Sequence, residues 1–241
     1  MIAFAAIAPH GDVEGAPELR EAMLELGRRF DAAAVDAAIV VTPHNVHVEG
    51  HLAVVTAGHV GRFDTDLPLA EAILGALRDE GLPALGVSYG GNGPGDAEMP
   101  LDWGTYVPLE FMRAERVVVV SPARDRPLAD HVRAGAAIAR ASGTGRAALI
   151  ASADHGHAHD ADGPYGFDPA AAVYDARLQE ILASGRLDVE PLGELVDAAK
   201  ADSLWQLLVL QGAVGESGRV DLLAYACPTY YGMLCATVEA R

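Results

Sequence analysis

The chain has 241 residues, of which 51% are hydrophobic, and a formal net charge of −17. This length and apolar content suit one sizeable core, whereas the acidic surplus argues against nucleic acid, because neutralising phosphates requires clustered Lys and Arg. No apolar stretch is long enough to span a bilayer, and the two cysteines, Cys227 and Cys235, lack a paired metal-binding spacing. We therefore expect one cytoplasmic domain over residues 1–241 that binds neither nucleic acid nor membrane.

Short apolar runs alternate with amphipathic stretches along the chain. The apolar runs predict strands at 2–8, 37–42, 52–57, 84–89, 116–121, 147–151, 220–226 and 230–238. The amphipathic stretches predict helices at 16–30, 67–80, 129–141, 169–184, 193–200 and 203–212. Strands separated by helices favour an α/β fold with a mostly parallel central sheet flanked by helices. The last two strands are close enough in sequence to pair antiparallel.

Histidines follow several of the predicted strands at the point where each strand ends. His10 and His44 each follow a proline after a buried strand, and a His-rich run begins at Ser152 after another. The carboxyl ends of parallel strands face one crevice, so these imidazoles should converge there. Imidazole binds transition metals and transfers protons near neutral pH. The pattern predicts a metal site with an acid/base beside it, although Pro-His after a strand is also typical of an ordinary turn with a structural histidine.

The His-rich run carries His155, His157 and His159 at alternating positions. In an extended chain these three side chains point the same way, which also suits a plain polar loop. The simplest functional interpretation is that one neutral imidazole of this run lies beside a metal held by His10 and His44. His59 and His131 lack such a context and are predicted to lie on the surface.

Six short motifs occur in order along the chain: APHG (8–11), VTPH (41–44), LDWGTYVPL (101–109), SADHGH (152–157), DGPYGF (162–167) and YACPTYYG (225–232). In this order they resemble the motifs of the class III extradiol ring-cleavage dioxygenases. These are the LigB-like proteins, a group that also includes the non-enzymatic Memo-like branch. The resemblance runs over nearly the whole chain and implies one catalytic domain.

The resemblance implies a non-haem Fe(II) centre of two histidines and one carboxylate, the facial triad of Fe(II) oxygenases. His10 and His44 match the metal histidines, and His157 matches the histidine that acts as acid/base. His155, two residues earlier, is then a lesser catalytic or substrate contact.

The third ligand is the least clear, because the family's usual Glu has no counterpart here. Asp202 is the nearest carboxylate, followed by Glu194 and Asp197. Asp202 also suits the alternative role of capping the helix predicted at 203. Trp103 replaces a histidine that many relatives carry, and Trp103 and Tyr106 are expected to form an aromatic wall for a planar substrate.

The resemblance implies a small aromatic diol and O2 as substrates, a role in aromatic compound catabolism, and association of subunits into a homo-oligomer. Two other functions remain open at the level of sequence. One is a Memo-like binding protein without turnover, and the other is a zinc-dependent hydrolase, since histidines with a carboxylate also describe catalytic zinc. Neither a His-Glu-x-x-His nor a Gly-x-Ser-x-Gly motif supports the hydrolase.

Overall fold

The computed structural model describes residues 1–215 and 219–239, which fold as an α/β domain around a mixed, mostly parallel sheet. The strands, numbered in chain order, are β1 Ile2–Ala8, β2 Ala37–Val41, β3 Leu52–Val55, β4 His59–Val60, β5 Phe63–Thr65, β6 Ala84–Val87, β7 Glu98–Met99, β8 Arg116–Ser121, β9 Ala147–Ser152, β10 Arg219–Ala226 and β11 Met233–Glu239. The helices are α1 Pro17–Ala32, α2 Leu67–Asp79, α3 Trp103–Glu110, α4 Leu128–Ala141, α5 Pro169–Ala183, α6 Val196–Ala199 and α7 Leu204–Val214.

The sheet follows the order β10-β11-β1-β9-β2-β8-β5-β4-β7, and β3 joins β8 to β6 beside this path. The four central strands β1, β9, β2 and β8 are all parallel to one another. The hairpin of β10 and β11 extends the sheet antiparallel at β1. The carboxyl ends of the four central strands therefore lie at one edge of the sheet.

The central strands are buried on both faces, which explains their continuous apolar sequences. In β2 all five residues are buried, and alternate side chains enter two different cores. One core contains α2, α4, α5 and α7, and the other contains α1 and the end of α3. Packing on both faces fixes the carboxyl ends of these strands, and therefore also the direction of the side chains that directly follow each strand.

The sequence predicts the eight longer strands and the main helices to within a few residues of their observed ends. It misses β4, β5 and β7, which have two or three residues and are too short to show a period. It also misses α3, which begins after the capping carboxylate of Asp102 and contains Pro108. The predicted helix 193–200 is a 3-10 helix, Glu190–Glu194, followed by the single turn α6.

The prediction that His131 lies on the surface is wrong. His131 is fully buried on α4, where its Nδ1 lies 3.2 Å from the carbonyl oxygen of Pro127. Burial lowers its pKa, so the side chain is neutral and packs as a core residue. No helix in the described part of the chain is long and apolar enough to cross a membrane.

Candidate metal centre

Three side chains from distant parts of the chain meet at the carboxyl edge of the sheet. His10 follows β1, His44 follows β2, and Asp202 lies in the link between α6 and α7. Their ligand atoms, two imidazole nitrogens and one carboxylate oxygen, all lie within 4.8 Å of one another. The structure thus brings together the three residues that the sequence singles out as metal ligands.

The distances within this cluster are short and similar. The Nε2 atoms of His10 and His44 are 3.0 Å apart, and Asp202 Oδ2 lies 3.7 Å from the first and 3.5 Å from the second. Nitrogen and oxygen ligands bind a transition metal at about 2.1 Å, so neighbouring ligands of one ion lie about 3 to 3.5 Å apart. One cation between these atoms would therefore contact all three.

The other ring nitrogen of His10 is held by a defined hydrogen bond. Ser152 Oγ lies 3.0 Å from His10 Nδ1, and the hydroxyl of Ser152 donates its single proton to the carbonyl oxygen of Gly104. Ser152 must therefore accept a hydrogen bond from Nδ1–H of His10. When the ring is neutral, this contact leaves Nε2 as its free nitrogen and fixes the ring plane, as is usual for metal-ligating histidines.

The carboxylates of the cluster favour positive charge at its centre. Burial alone would lower the pKa of His10, but Asp154 and Asp202 outweigh it and raise the pKa to about 9. Burial also raises the pKa of Asp202, whereas the adjacent imidazoles of His10 and His44 dominate and lower it well below its usual range. A cation is therefore stabilised between these groups.

The chemistry of the donor set fits a divalent transition metal. Oδ1 of Asp202 is buried without a hydrogen-bond partner among the described residues, which is costly unless another group contacts it. The alternative role of Asp202 as a helix cap is not realised. Ser203 occupies the cap position of α7, and no side chain of residues 1–215 and 219–239 caps it. Two imidazoles and one carboxylate form the ligand set typical of non-haem Fe(II).

The cluster opens into a cavity of about 1030 Å³. Trp103 lies in its wall and stacks on His44, with ring centroids 4.3 Å apart and planes at 30°. Tyr165, Tyr230 and Tyr231 also line the cavity and contact one another or His157. The lining therefore offers aromatic surface beside which a planar ring could lie near the three-residue cluster.

His157 lines the same cavity and stacks on Tyr231 at 5.4 Å between centroids. Its Nδ1–H donates to the carbonyl oxygen of His155, 2.7 Å away. The neutral ring therefore offers Nε2 as an acceptor, the nitrogen that a general base requires.

The other two histidines of the run point elsewhere, so the expectation that all three share one direction is wrong. His155 is fully buried, does not line the cavity in the described structure, and has a pKa that is lowered by burial. Neither of its ring nitrogens has a hydrogen-bond partner in the part of the chain described. His159 contacts Asp175 on α5, with Nε2 2.9 Å from Oδ2. Of the three, the structure directs only His157 into the cavity.

The structure places Tyr106 outside the cavity, and its expected part in the aromatic wall is not realised. Its hydroxyl donates to Glu110 one turn later on α3, and the Arg62 guanidinium lies 5.5 Å from its ring. Tyr231 takes the place in the wall instead. The sixth motif of the sequence contains this residue, so the motif was a usable signal for it.

Two further residues of the site were missed. Asp154 accepts a hydrogen bond from the backbone N–H of His10 at 3.1 Å. Arg124 lies beyond β8, with Nη2 3.9 Å from Asp202 Oδ2 and its guanidinium 4.9 Å from the ring of Trp205. Both follow the carboxyl end of a central strand, so the rule that located His10 would also have located them.

The fold and this cluster define an α/β protein with a two-histidine, one-carboxylate centre at the carboxyl ends of parallel strands. Residues 17–233 match the family described as the catalytic LigB subunit of aromatic ring-opening dioxygenase, and the chain belongs to this family. His10 lies just before the matched range.

A solved structure of an uncharacterized protein, JW3007 from Escherichia coli K12, has a similar fold. Its TM-score is 0.63 at 15% sequence identity, and the similarity covers 98% of this chain and 99% of that one. At this identity the likeness concerns the fold. No curated protein matches the chain.

Proposed function

We propose that this protein is a non-haem Fe(II)-dependent extradiol dioxygenase, which opens the ring of a small aromatic diol with O2. The observation that carries the proposal is the meeting of His10, His44 and Asp202 at one end of a cavity that also receives His157. Membership of the LigB family supports the same reaction class.

Iron bound by His10, His44 and Asp202 would supply Lewis acidity toward the two oxygens of a catechol and the redox chemistry that O2 requires. The remaining tasks belong to the protein. His44 and His10 are held from two rigid strand ends, so the ligand set is organised before a substrate arrives. The separate strand origins also leave one side of the cluster open to the cavity.

His157 is suited to move the hydroxyl proton of the substrate. Its Nδ1–H is engaged with a carbonyl oxygen, so Nε2 accepts a proton from a catechol hydroxyl and can return it as the ring opens. The resulting imidazolium stacks on the ring of Tyr231, a contact that favours a cation.

The aromatic walls orient the substrate and exclude water. Trp103 and Tyr231 both line the cavity and provide aromatic surface for a planar ring. A cavity of about 1030 Å³ is larger than a simple catechol needs, so a catechol with a ring substituent fits.

Oxygen uptake with defined metals tests the proposal. The protein would be loaded anaerobically with Fe(II) or Zn(II) and then exposed to O2 with a panel of catechols. We expect consumption of one O2 per catechol with iron alone, and a ring-opened product that carries both oxygen atoms. His10→Ala should lose bound iron and oxygen uptake. His59→Ala is the control: among the described residues His59 does not line the cavity, so this variant should retain both iron and oxygen uptake.

Other outcomes would replace the proposal. An iron-loaded protein that consumes no O2 with any catechol would favour a Memo-like binding protein. Hydrolytic activity that depends on zinc, without O2 uptake, would favour a hydrolase.

A further inference from the structure

Asp175 lies in the middle of α5, is 2% exposed, and binds three groups through its two carboxylate oxygens. Oδ1 accepts the backbone N–H of Gly156 at 2.8 Å. Oδ2 accepts the hydroxyl of Tyr225 at 2.8 Å and lies 2.9 Å from Nε2 of His159. A buried carboxylate is tolerated when several donors satisfy it, and Asp175 has three from two separate segments.

Two of these donors lie on either side of His157. Gly156 precedes it and His159 follows two residues later, so the Asp175 carboxylate holds the chain at both ends of this short segment. His157 itself is held by its backbone N–H, which donates to the carbonyl oxygen of Ala199 at 2.8 Å. The direction of the His157 ring therefore depends on where these contacts place residues 156–159.

The third donor connects the same carboxylate to the β10–β11 hairpin. Tyr225 belongs to β10, and the turn that follows is joined to the histidine loop by main-chain hydrogen bonds. His155 N–H donates to Gly232 O at 2.8 Å, Gly232 N–H to Gly156 O at 2.9 Å, and His159 N–H to Tyr230 O at 3.2 Å. The loop, the hairpin and α5 thus meet at one carboxylate.

The packing around Asp175 leaves no room for a side chain at either of two neighbouring glycines. A Cβ on Gly232 would lie 1.9 Å from Asp175 Oδ2, and a Cβ on Gly156 would lie 2.8 Å from the carbonyl oxygen of Ala171 on α5. Among the described residues, Asp175 neither lines the cavity nor belongs to the cluster of candidate metal ligands. Its contacts are with the elements that carry His157 and Tyr231.

We propose that Asp175 is a positioning residue, which acts through Gly156 and His159 to hold the His157 imidazole against Tyr231 and inside the cavity that the metal site shares. This inference rests on the proposed ring cleavage. Asp175 itself exchanges no proton with the substrate. Its loss lets the loop move, so that His157 spends less time where it can accept the substrate proton.

The first test compares Asp175→Ala with Asp130→Ala in the iron-loaded protein. Asp130 is a matched control, because it is a buried helix aspartate held by Arg126 and Arg133 and lies outside the described cavity lining. For Asp175→Ala we expect unchanged iron stoichiometry, a kcat lower by tenfold or more, and a smaller change in KM. Amide hydrogen exchange of residues 155–159 should accelerate. Asp130→Ala should lose stability while retaining kcat and the exchange rates of this loop.

The second test displaces the carboxylate without removing it. Gly232→Ala should reproduce the loss of kcat and the faster exchange, because its Cβ collides with Asp175 Oδ2. The double variant Gly232→Ala/Asp175→Ala should have the same kcat as Asp175→Ala alone, because the carboxylate with which the new Cβ collides is absent. Losses that multiply in the double variant would show that the two residues act independently and would overturn the inference.

The readouts separate this inference from the proposed function. If the parent protein cleaves no catechol, the function fails, and hydrogen exchange still reports whether Asp175 holds the loop. Equal loop exchange in Asp175→Ala and Asp130→Ala overturns the inference, as does an unchanged kcat beside a loosened loop. If Asp175→Ala does not fold, Tyr225→Phe replaces it in the comparison with Asp130→Ala. This substitution deletes one hydrogen-bond donor to Asp175 Oδ2 and should lower kcat by a smaller factor.

Discussion

At the scale of single residues, the candidate metal centre contains a buried carboxylate, one oxygen of which has no hydrogen-bond partner among the described residues. Asp202 Oδ2 faces the two imidazoles, and Oδ1 has no hydrogen-bond partner in the described structure. Such an atom costs free energy in the folded chain unless a cation compensates for it. This cost to the folded chain therefore favours a bound cation at Asp202.

Asp202→Asn should weaken iron binding severely, because the amide is a neutral and poorer donor that leaves one more positive charge at the centre. The metal-free protein should also lose the stability that this buried carboxylate gains from His10 and His44, although the side chain caps no helix. Iron affinity and thermal stability would be measured on the same preparation. Glu194→Gln is the control, because Glu194 lies outside the cluster formed by the described residues and should keep normal affinity. Normal affinity in Asp202→Asn would remove this residue from the ligand set.

His157→Ala and His155→Ala should differ in kind. His157→Ala is expected to retain iron and lose about 10² to 10⁴ in kcat, the usual contribution of a general acid/base. His155→Ala should mainly lower stability, because it empties a fully buried site. Single-turnover kinetics and urea unfolding check the two effects, and a larger kinetic loss for His155→Ala would reverse the assignment.

At the scale of elements, the close packing of α4 and α7 determines where Asp202 lies. The two helices approach at glycines: a Cβ on Gly135 would lie 1.9 Å from Val209 O, and a Cβ on Gly212 would lie 1.9 Å from Val132 O. Because α7 begins two residues after Asp202, a shift of this helix also moves the carboxylate. Helix packing and metal binding are thus connected through one short link.

Gly135→Ala should destabilise the protein by about 1 to 3 kcal/mol, the usual cost of overpacking, and should weaken iron binding by displacing α7. Gly75→Ala on α2 is the matched control. No heavy atom of the described chain, apart from those of neighbouring turns, lies within 4 Å of the added Cβ, so the substitution should stabilise the helix by about 0.5 to 1 kcal/mol. Urea unfolding and iron titration of both variants check this. Equal effects at the two positions would contradict the packing argument.

At the scale of the whole molecule, the candidate metal centre joins segments that are distant in the chain. Its three residues lie at positions 10, 44 and 202, so an unfolded chain holds them far apart. A ligand that binds only the folded state stabilises it according to its concentration relative to Kd. Metal binding should therefore raise the free energy of global unfolding.

Iron at 100 times its Kd should raise the free energy of unfolding by about 2.7 kcal/mol, and chelation should reverse this. Thermal unfolding under anaerobic conditions, with and without Fe(II), measures the shift. His44→Ala removes one ligand and should abolish most of the shift, although its partly exposed side chain contributes little to the core. A shift of the same size in His44→Ala would mean that iron stabilises the protein from another site.

The sequence alone determines the central parallel strands of the sheet and the edge at which their carboxyl ends meet. Strands buried on both faces must be apolar throughout, so β1, β2, β8 and β9 appear as continuous apolar runs. The residues that follow them must share an edge, which is how His10 and His44 were singled out. These inferences need only local patterns and one topological rule.

The tertiary structure alone decides which residues complete the site. The sequence favours Asp202 but leaves Glu194 and Asp197 open as the carboxylate, and only the packing of α7 shows that Asp202 meets the two imidazoles. Likewise, His157 lines the cavity and His155 is buried because the loop is held to the β10–β11 turn and to Asp175, by contacts that span up to 77 residues of sequence. Such contacts depend on the free energy of packing distant segments together, and no local sequence pattern contains that information.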